Sequence, residues 1–403
     1  MTSTSSATSI TPGSWHANRD ARAWVCPPAP ADIRAFHEGL PGYVPTPAVD
    51  LPAVAQQFGV GRVVVKDESS RLGLPAFKGL GVSYAMYRVI CERAGRTIIP
   101  ADWASLRELV KILGPLEFVA ATDGNHGRAV ARFSRLLGVQ AHIFVPDVVT
   151  PSSIRAIEGE GARVSVLSED YDKTVQLAAE AAERQSGAVL IQDTAWPGYE
   201  EIPQWIVDGY STLFAELDDQ LALGSSQEDE RSSNIVVVTP MGVGSLAQAV
   251  VAHCRSHANS ASIAVLGVEP DTAACIQVSM RAGRATSVAT ASTIMDGLNC
   301  GTPSSLAWPY LRDGMDGVVA ISDEQAADAI DSLNTLEIAA GPCGAATMAA
   351  ARIAASVEEL RQSLGLTSDS TIVLLNTEGT RPAPASAQTL ANRHDAADQG
   401  GSP

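Results

Sequence analysis

The chain has 403 residues, of which 45% are hydrophobic and 18% charged, and its formal net charge is −17. This length predicts two domains or one large α/β domain, and the composition is typical of a globular protein. Lys and Arg are scattered without a run, which argues against nucleic acid and anionic membranes as partners. The sequence has no apolar run of membrane-spanning length and no basic-then-apolar N-terminal pattern, and its six cysteines are widely spaced. These features predict reduced thiols and a cytoplasmic location.

The ends of the chain contain little that a core could bury. Residues 1–20 are rich in Ser and Thr, and residues 381–403 are polar and rich in Pro, Ala, Ser and Gln, so both segments are predicted to be disordered. Between Pro27 and Pro52 prolines recur, which predicts an extended segment that wraps over a domain surface.

Strand and helix patterns alternate between these ends. Short β-branched or apolar runs predict strands, and the segments between them carry apolar residues at helical spacing. This rhythm predicts an α/β fold with two doubly wound open sheets and helices on both faces. Single long helices are predicted at residues 202–217 and at about residues 345–364. The predicted strands cover residues 62–67, 118–122, 141–145, 163–167, 188–192, 235–239, 264–268, 318–321 and 372–375.

Four loops lie where ligands bind in open α/β sheets, beyond the carboxyl ends of strands. The first, residues 74–81, places Lys78 between a strand end and a helix start, beside Phe77 and two glycines. Partial burial disfavours an ammonium ion and lowers its pKa, which an amine nucleophile needs. A solvated loop lysine is the alternative.

The second loop is Asp-Gly-Asn-His-Gly at residues 123–127. Its two glycines let the backbone approach a ligand closely, and Asn125 offers both a donor and an acceptor. Asp123 places a carboxylate at the end of the strand. Asp123 and Asn125 can instead be ordinary helix caps, and His126 is interpreted as a buried core histidine.

The third loop, residues 241–246, follows a β-branched strand and opens a helix. Gly242 and Gly244 free successive backbone N–H groups to point at one anion, aided by the helix dipole. The loop lacks a P-loop lysine and the full dinucleotide spacing, so a phosphate monoester fits better than a nucleotide. A turn without a ligand is the alternative. In the fourth loop, residues 375–379, Thr377 can present a hydroxyl inward.

A pocket amine, a phosphate cradle and a glycine turn with an Asn together describe a site for pyridoxal 5′-phosphate held as a Schiff base. These motifs resemble the fold-type II pyridoxal-phosphate enzymes, the tryptophan synthase β and threonine dehydratase group. Within that group they resemble the diaminopropionate ammonia-lyases most. The resemblance covers residues 43–379 and is most specific at residues 71–81, 121–128, 192–210 and 293–301.

The resemblance implies a role for each motif residue. It implies Lys78 as the residue bonded to the cofactor with Phe77 beside it, Asn125 on the ring O3′, and Thr377 on the ring nitrogen. Asp123, where most of the group has Ser, and Asp193 are implied as catalytic carboxylates. The phosphate is implied to lie among Gly242, Val243, Gly244, Ser245 and Leu246.

The resemblance also implies an architecture and a reaction. Residues 21–80 and 195–380 would form a large cofactor-binding domain, residues 81–194 a small domain, and the enzyme a homodimer; no metal site is predicted. The reaction would be α,β-elimination on 2,3-diaminopropionate, D, L or both, giving pyruvate and ammonia. Lys78 and Asp123 would be bases on opposite faces of the cofactor, and Asp193 would hold the β-ammonium. Asp193 can instead be a helix cap or turn residue.

One departure from the family leaves the substrate open. The family carries Gly-Glu-Ser-Gly beside the cofactor, and this chain has Gly-Pro-Cys-Gly at residues 341–344. The loss of an acid there removes a charge that shapes substrate choice or ring protonation. Elimination or replacement on another β-substituted amino acid, such as serine, threonine or a biosynthetic intermediate, is therefore the alternative activity. A non-catalytic cofactor-binding protein is a third reading.

Overall fold

The computed structural model describes residues 15–95, 103–122, 124–222, 234–256 and 262–380. Within these residues the strands form one sheet of seven and one of four. The strands are β1 (Trp15–Ala17), β2 (Ala48–Asp50), β3 (Arg62–Asp67), β4 (Glu117–Ala121), β5 (Gln140–Pro146), β6 (Arg163–Leu167), β7 (Ala188–Leu190), β8 (Ile235–Pro240), β9 (Ile263–Pro270), β10 (Gly317–Ile321) and β11 (Thr371–Asn376). The helices are α1 (Ile33–Glu38), α2 (Pro52–Phe58), α3 (Gly79–Arg93), α4 (Trp103–Ile112), α5 (Asn125–Leu137), α6 (Pro151–Gly159), α7 (Tyr171–Arg184), α8 (Glu201–Gly209), α9 (Ser211–Ala222), α10 (Ser245–Ser256), α11 (Cys275–Ala282), α12 (Ala307–Gly314), α13 (Asp323–Thr335), α14 (Pro342–Ser356) and α15 (Glu358–Ser363).

The larger sheet has the strand order β1-β10-β9-β8-β11-β3-β2. Its central strands run parallel, and the edge strands β1 and β2 run antiparallel to their neighbours. Val237, Val373 and Val64 lie side by side on β8, β11 and β3. Central parallel strands are covered on both faces, so they consist of continuous apolar residues. These runs made the strands recognisable from the sequence.

The smaller sheet has the order β6-β5-β4-β7, and all of its strands are parallel. Successive residues of a strand point to opposite faces, and both faces of each sheet are packed. On β4, Phe118 belongs to one apolar cluster and Val119 to another. On β8, Val236 and Val237 are divided in the same way between two clusters. The two sheets with helices on both faces confirm the predicted fold class.

The N-terminal part of the chain differs from the prediction. Disorder was expected through residue 20, but Trp15–Ala17 pairs with Gly317–Val319 as an edge strand. The proline-rich segment was expected to be extended, and it contains α1 and β2. The prediction failed because short edge elements depend on partners far along the chain. The predicted disordered tail at residues 381–403 lies outside the described residues.

Two predicted long helices are each divided in the structure. Around Tyr210 the backbone hydrogen bonds join residues three apart: the Tyr210 N–H donates to the Val207 carbonyl oxygen, and the Leu213 N–H donates to the Tyr210 carbonyl oxygen. This separates α8 from α9. Val357 adopts an extended conformation, with φ −95° and ψ 109°, which ends α14 before α15 begins.

The predicted domain boundaries stay a prediction.

None of the helices in the described part of the chain combines the length and the hydropathy that a membrane crossing needs.

Candidate active site

The loops singled out from the sequence meet at the carboxyl ends of the parallel strands. β3 leads toward the turn before Lys78, β4 toward α5, β8 toward α10, and β11 into Thr377. One pocket forms where these loops converge. Asp123, the predicted second base, lies outside the described residues. The pocket is lined by Phe77, Lys78, Asn125, His126, Tyr171, Asp193, Pro240, Gly242, Val243, Gly244, Ser245, Leu246, Gly297, Leu298, Cys300, Cys343, Thr377 and Glu378.

Lys78 and Asp193 form an ion pair in this pocket. Lys78 Nζ donates a hydrogen bond to Asp193 Oδ2 at 2.5 Å, and it lies 5.1 Å from the centre of the Phe77 ring. Burial alone would raise the pKa of the Asp193 carboxyl, but the Lys78 ammonium beside it outweighs that effect. The pKa of Asp193 is therefore well below its usual range, and the group is a carboxylate at neutral pH.

Lys78 is set apart from the other lysines by its position. The chain has four lysines, all of them in the described ranges, and Lys78 alone lines this pocket. Lys66 is buried in an ion pair with Glu216. Lys111 and Lys173 lie on α4 and α7, where they bond to neighbours on their own helices.

A buried ion network anchors the turn that carries Lys78. The Arg71 guanidinium donates to Glu68 Oε1 at 2.7 Å and to Glu216 Oε1 at 2.6 Å, and Lys66 Nζ donates to Glu216 Oε2 at 2.7 Å. All four side chains are shielded from solvent. Because Glu216 lies on α9, the network ties the chain after β3 to that helix and limits the movement of the Lys78 turn.

His126 has a more specific setting than the core position that the sequence favoured. It is buried, and its Nε2–H donates to the Ile191 carbonyl oxygen at 2.7 Å. Its Nδ1 lies 3.7 Å from Asp193 Oδ2 and has no hydrogen-bond partner within the described residues. Burial, helped by the Lys78 ammonium, lowers the pKa of His126, so the ring is neutral and Nδ1 is a bare acceptor in the pocket wall.

The glycine loop before α10 is tightly enclosed. Gly244 has φ +102°, a conformation that favours glycine, and a Cβ there would lie 2.7 Å from Leu311 Cδ1. A Cβ on Gly242 would lie 3.0 Å from Cys300 Sγ. The Ser245 hydroxyl donates to the Asp193 carbonyl oxygen, which joins the loop to the segment of the ion pair. The loop therefore presents its backbone at the start of a helix, as an anion site requires.

Glu378 is a pocket residue that the sequence reasoning missed. Asn125 Nδ2 donates to Glu378 Oε2 at 2.6 Å, and the Cys343 backbone N–H donates to Glu378 Oε1 at 3.2 Å. A carboxylate thus lies at the N-terminus of α14, where the helix dipole favours negative charge. The sequence predicted the loss of an acid at Pro342, but the structure places the Glu378 carboxyl group beside Cys343. Its place directly after Thr377 at a strand end was the available signal.

Thr377 and Tyr171 complete the wall of the pocket. Thr377 is buried, and its carbonyl oxygen accepts from the Phe77 N–H at 3.3 Å. Tyr171, at the start of α7, accepts a hydrogen bond from Gln192 Nε2 at 3.0 Å. Nothing in the sequence around Tyr171 pointed to a site. Gly297, Leu298 and Cys300 come from the segment 293–301, whose motif was noted without a role.

Comparison with known proteins decides the family. A family model described as "Pyridoxal-phosphate dependent enzyme" matches residues 40–378. The chain belongs to this family. The enzyme is 35% identical to the diaminopropionate ammonia-lyase of Escherichia coli strain K12 over 356 residues, which covers 86% of this chain and 87% of the relative. It is 27% identical to the L-threonine ammonia-lyase of Geobacter sulfurreducens over 53% of this chain and 48% of that relative.

A solved structure agrees with this assignment. The crystal structure of the Escherichia coli diaminopropionate ammonia-lyase in complex with D-serine matches the enzyme with a TM-score of 0.82 and 32% identity. The match covers 91% of this chain and 93% of that chain. The resemblance that the motifs indicated is therefore confirmed, and the cofactor of the enzyme is pyridoxal 5′-phosphate.

The residues of the pocket fit this cofactor. A phosphate dianion needs several N–H donors, and the loop at residues 242–246 offers successive backbone amides at a helix start with no Cβ on Gly242 or Gly244. An aldehyde needs one amine, and Lys78 lines the same pocket. Within the described ranges, no group of three His, Cys, Asp or Glu side chains is arranged as metal ligands are.

Proposed function

We propose that this enzyme is a diaminopropionate ammonia-lyase, which converts 2,3-diaminopropionate and water to pyruvate and two ammonia molecules. The observation that carries the proposal is the Lys78–Asp193 pair at 2.5 Å, beside the glycine loop, in a chain that is 35% identical to such a lyase over most of its length. Substrates of D, L or both configurations are included. The proposal also covers the assignment of roles to the pocket residues.

Lys78 is assigned as the residue that bonds to the cofactor and as one base. When bound, pyridoxal phosphate withdraws electrons from the α-carbon of the amino acid, which makes its proton removable. Lys78 then takes that proton on one face of the ring, and Asp123 takes it from the isomer that presents the opposite face. Two bases on two faces would let the enzyme accept both isomers.

Asp193 is assigned to the β-amino group of the substrate. It is a buried carboxylate at neutral pH, and it already accepts a hydrogen bond from one ammonium, that of Lys78. A substrate ammonium in the same place would stay protonated, and NH3 is a better leaving group than an amide ion. His126 Nδ1, 3.7 Å from Asp193 Oδ2, adds a second acceptor to that corner of the pocket.

The remaining residues are assigned to holding the cofactor. Asn125 is assigned to the ring O3′, and Glu378, which accepts from Asn125 Nδ2 at 2.6 Å, fixes the orientation of that amide. Thr377 is assigned to the ring nitrogen and Phe77 to the wall beside Lys78. The phosphate is assigned to the backbone of Gly242, Val243, Gly244, Ser245 and Leu246.

The alternative activity is elimination or replacement on another β-substituted amino acid, such as serine or threonine. Pro342 and Cys343, where the resemblance implies Glu-Ser, favour it, because Cys343 lines the pocket and an acid is absent at both positions. Glu378 weighs against it, because it restores an acid to that wall. A non-catalytic cofactor-binding protein is the least supported reading, since mere binding needs no buried carboxylate beside the lysine.

A substrate panel tests the proposal. Purified holoenzyme is incubated with D- and L-diaminopropionate, D- and L-serine and L-threonine, and pyruvate or 2-oxobutyrate is measured together with ammonia. We expect pyruvate from at least one diaminopropionate isomer, two ammonia per pyruvate, and a kcat/KM at least tenfold above that for serine. Turnover of serine or threonine without turnover of diaminopropionate would establish the alternative, and no turnover of any of them would support a binding protein.

The finer assignments of location and assembly also belong to this proposal. We propose a cytoplasmic homodimer with a cofactor-binding domain of residues 21–80 and 195–380 and a small domain of residues 81–194. The cytoplasm is supported by the six cysteines, none of which forms a disulfide bond in the structure. The homodimer is supported by the family resemblance, and light scattering of the purified enzyme measures it.

A further inference from the structure

A second cavity lies away from the proposed active site. It has a volume of about 270 Å³ and shares no lining residue with the first pocket. Most of its lining residues belong to helices α8, α9 and α10 and to the proline segment at residues 27–31. The cavity is lined by Pro27, Pro28, Ala29, Pro30, Ala31, Arg34, Gln204, Val207, Asp208, Ser211, Thr212, Ala215, Gln248, Ala249, Ala252, His253, Ser256 and Tyr310.

A chain of hydrogen bonds fixes the polarity of this cavity. Asp208 Oδ1 accepts from Gln204 Nε2 at 2.7 Å, so the amide oxygen of Gln204 faces away from the carboxylate. That oxygen in turn accepts from Gln248 Nε2 at 3.2 Å. Because a carboxylate can only accept, both amides are held in this orientation. The last atom of the chain, Gln248 Oε1, is therefore an acceptor.

That acceptor is unsatisfied. Gln248 is 1% exposed, and its Oε1 has no hydrogen-bond partner within the described residues. A buried acceptor without a donor destabilises the folded protein, so the site favours an occupant that brings N–H or O–H groups.

The charges around the cavity favour a cation over a neutral donor. Arg34 also lines the cavity, but its guanidinium donates to Glu38 at 3.0 Å and to Asp219 at 2.6 Å. Asp208 has a neutral amide as its hydrogen-bond partner, and burial raises the pKa of this carboxyl to about 6, with Gln204 and Arg88 opposing the rise. Above that pH its charge would be stabilised by a nearby positive group.

We propose that this cavity binds a small protonated amine, which donates hydrogen bonds to Gln248 Oε1 and to the Asp208 carboxylate. The volume admits an organic amine of several heavy atoms and also the ammonium ion. The site is connected to the catalytic pocket through α10, since Gln248 lies one turn after Ser245. This inference does not depend on which amino acid the enzyme converts.

Calorimetric titration of the holoenzyme tests the proposal with dimethylammonium chloride as the probe. A secondary amine has N–H donors but cannot displace Lys78 from the cofactor as a primary amine can. Tetramethylammonium chloride, which has the charge and no N–H, and sodium chloride are the controls at equal ionic strength. We expect saturable binding of dimethylammonium with a Kd on the order of 1 mM, and none of either control. A separate titration of dimethylammonium in the presence of ammonium chloride distinguishes the two possible occupants. Weaker dimethylammonium binding identifies the ammonium ion as an occupant, and unchanged binding identifies an organic amine.

Three variants assign the binding to this cavity. Asp208→Asn and Gln248→Met are each expected to weaken dimethylammonium binding at least tenfold, and Ala252→Leu, which fills the cavity, to abolish it. If the two polar variants do not fold, Ala252→Leu alone shows whether dimethylammonium binds in this cavity. Unchanged binding in a folded variant, no saturable binding to the wild type, or equal binding of tetramethylammonium would overturn the proposal.

Discussion

Lys78 and Asp193 are opposite charges that stabilise each other. The Asp193 side chain is only 7% exposed, so its carboxylate depends on the Lys78 ammonium, whose side chain is 23% exposed. The pair also brings together the two chemical functions that the proposed elimination needs, an amine for the cofactor and a carboxylate for the leaving group. Two substitutions separate these functions, and a third tests the base assigned to the opposite face of the cofactor.

Lys78→Ala is expected to remove the covalent link to the cofactor and to reduce activity to background, because no other lysine lines the pocket. The measurement is the visible absorbance of the cofactor, followed by borohydride reduction and mass mapping. Lys111→Ala, on an exposed lysine of α4, is the matched control and should leave both readouts unchanged. A reduced adduct on another lysine in the Lys78→Ala protein would refute the assignment.

Asp193→Asn is expected to lower kcat/KM for diaminopropionate roughly 100-fold, because the amide carries no charge for the β-ammonium. The loss for any serine turnover should be smaller, since a hydroxyl substrate brings no β-charge. Steady-state kinetics on both substrates measures the difference. Equal losses on the two would show that Asp193 acts on Lys78 rather than on the leaving group.

Asp123→Asn is expected to impair the D isomer more than the L isomer, roughly 10-fold or more, because it removes the base from one face only. The ratio of kcat/KM values for the two isomers is the readout, and it is independent of the amount of active enzyme. The same loss on both isomers would reject the assignment of one base to each face.

At the scale of elements, the close packing of α3 against α8 positions Lys78. The two helices approach at a pair of glycines, where a Cβ on Gly81 would lie 2.7 Å from the Ile206 carbonyl oxygen and a Cβ on Gly209 would lie 2.8 Å from Gly81 Cα. Only residues without a side chain permit this approach. Since α3 begins directly after Lys78, the packing sets the direction in which that side chain enters the pocket.

Gly81→Ala is expected to destabilise the enzyme by about 1–3 kcal/mol, because the added methyl group has no space and the helices must move apart. Urea unfolding followed by circular dichroism measures the loss. Gly159→Ala is the matched control: it is also helical, its Cβ would meet nothing within 4 Å, and it should be neutral or slightly stabilising. Equal stability of the two variants would contradict the proposed packing constraint.

At the scale of the whole molecule, one buried ion network joins distant parts of the chain. Arg71 and Lys66 both donate to Glu216, which lies 145 and 150 residues away from them. Burial alone would raise the pKa of Glu216, but Arg71 and Lys66 outweigh it and lower that pKa to about 2. The folded state thus binds this proton less readily than the unfolded chain, whose carboxyl titrates near 4.5. The stabilisation is complete above that pH and is lost as the pH falls toward 2.

Glu216→Gln is expected to lower the free energy of unfolding by about 3–5 kcal/mol at pH 7, because it leaves the buried Lys66 without its salt bridge and leaves Arg71 paired with Glu68 alone. The stability of the variant should also fall less steeply than that of the wild type between pH 5 and pH 3. Urea titrations at several pH values test both effects. Glu108→Gln, which breaks an exposed pair with Lys111, should change neither by more than about 0.5 kcal/mol.

The sequence by itself determined much of this protein. The bounds of β3 and β6 were predicted residue for residue. β3 was recognisable because a buried parallel strand requires a continuous apolar run, whereas β6 is a partly exposed edge strand. Lys78, Asn125, Thr377 and the loop at residues 242–246 were predicted as well, because ligand chemistry requires particular residue types at strand ends.

Only the tertiary structure decided the rest. Two of these features join residues that are distant in sequence: the pairing of Lys78 with Asp193, and the position of Glu378 beside Cys343. A third, the division of a helix at Tyr210, depends on local backbone geometry. Periodicity and motif spacing report the local preferences of a segment and do not specify which individual side chains will be in contact. Contacts, burial and the resulting charges arise only when the sheets and helices pack.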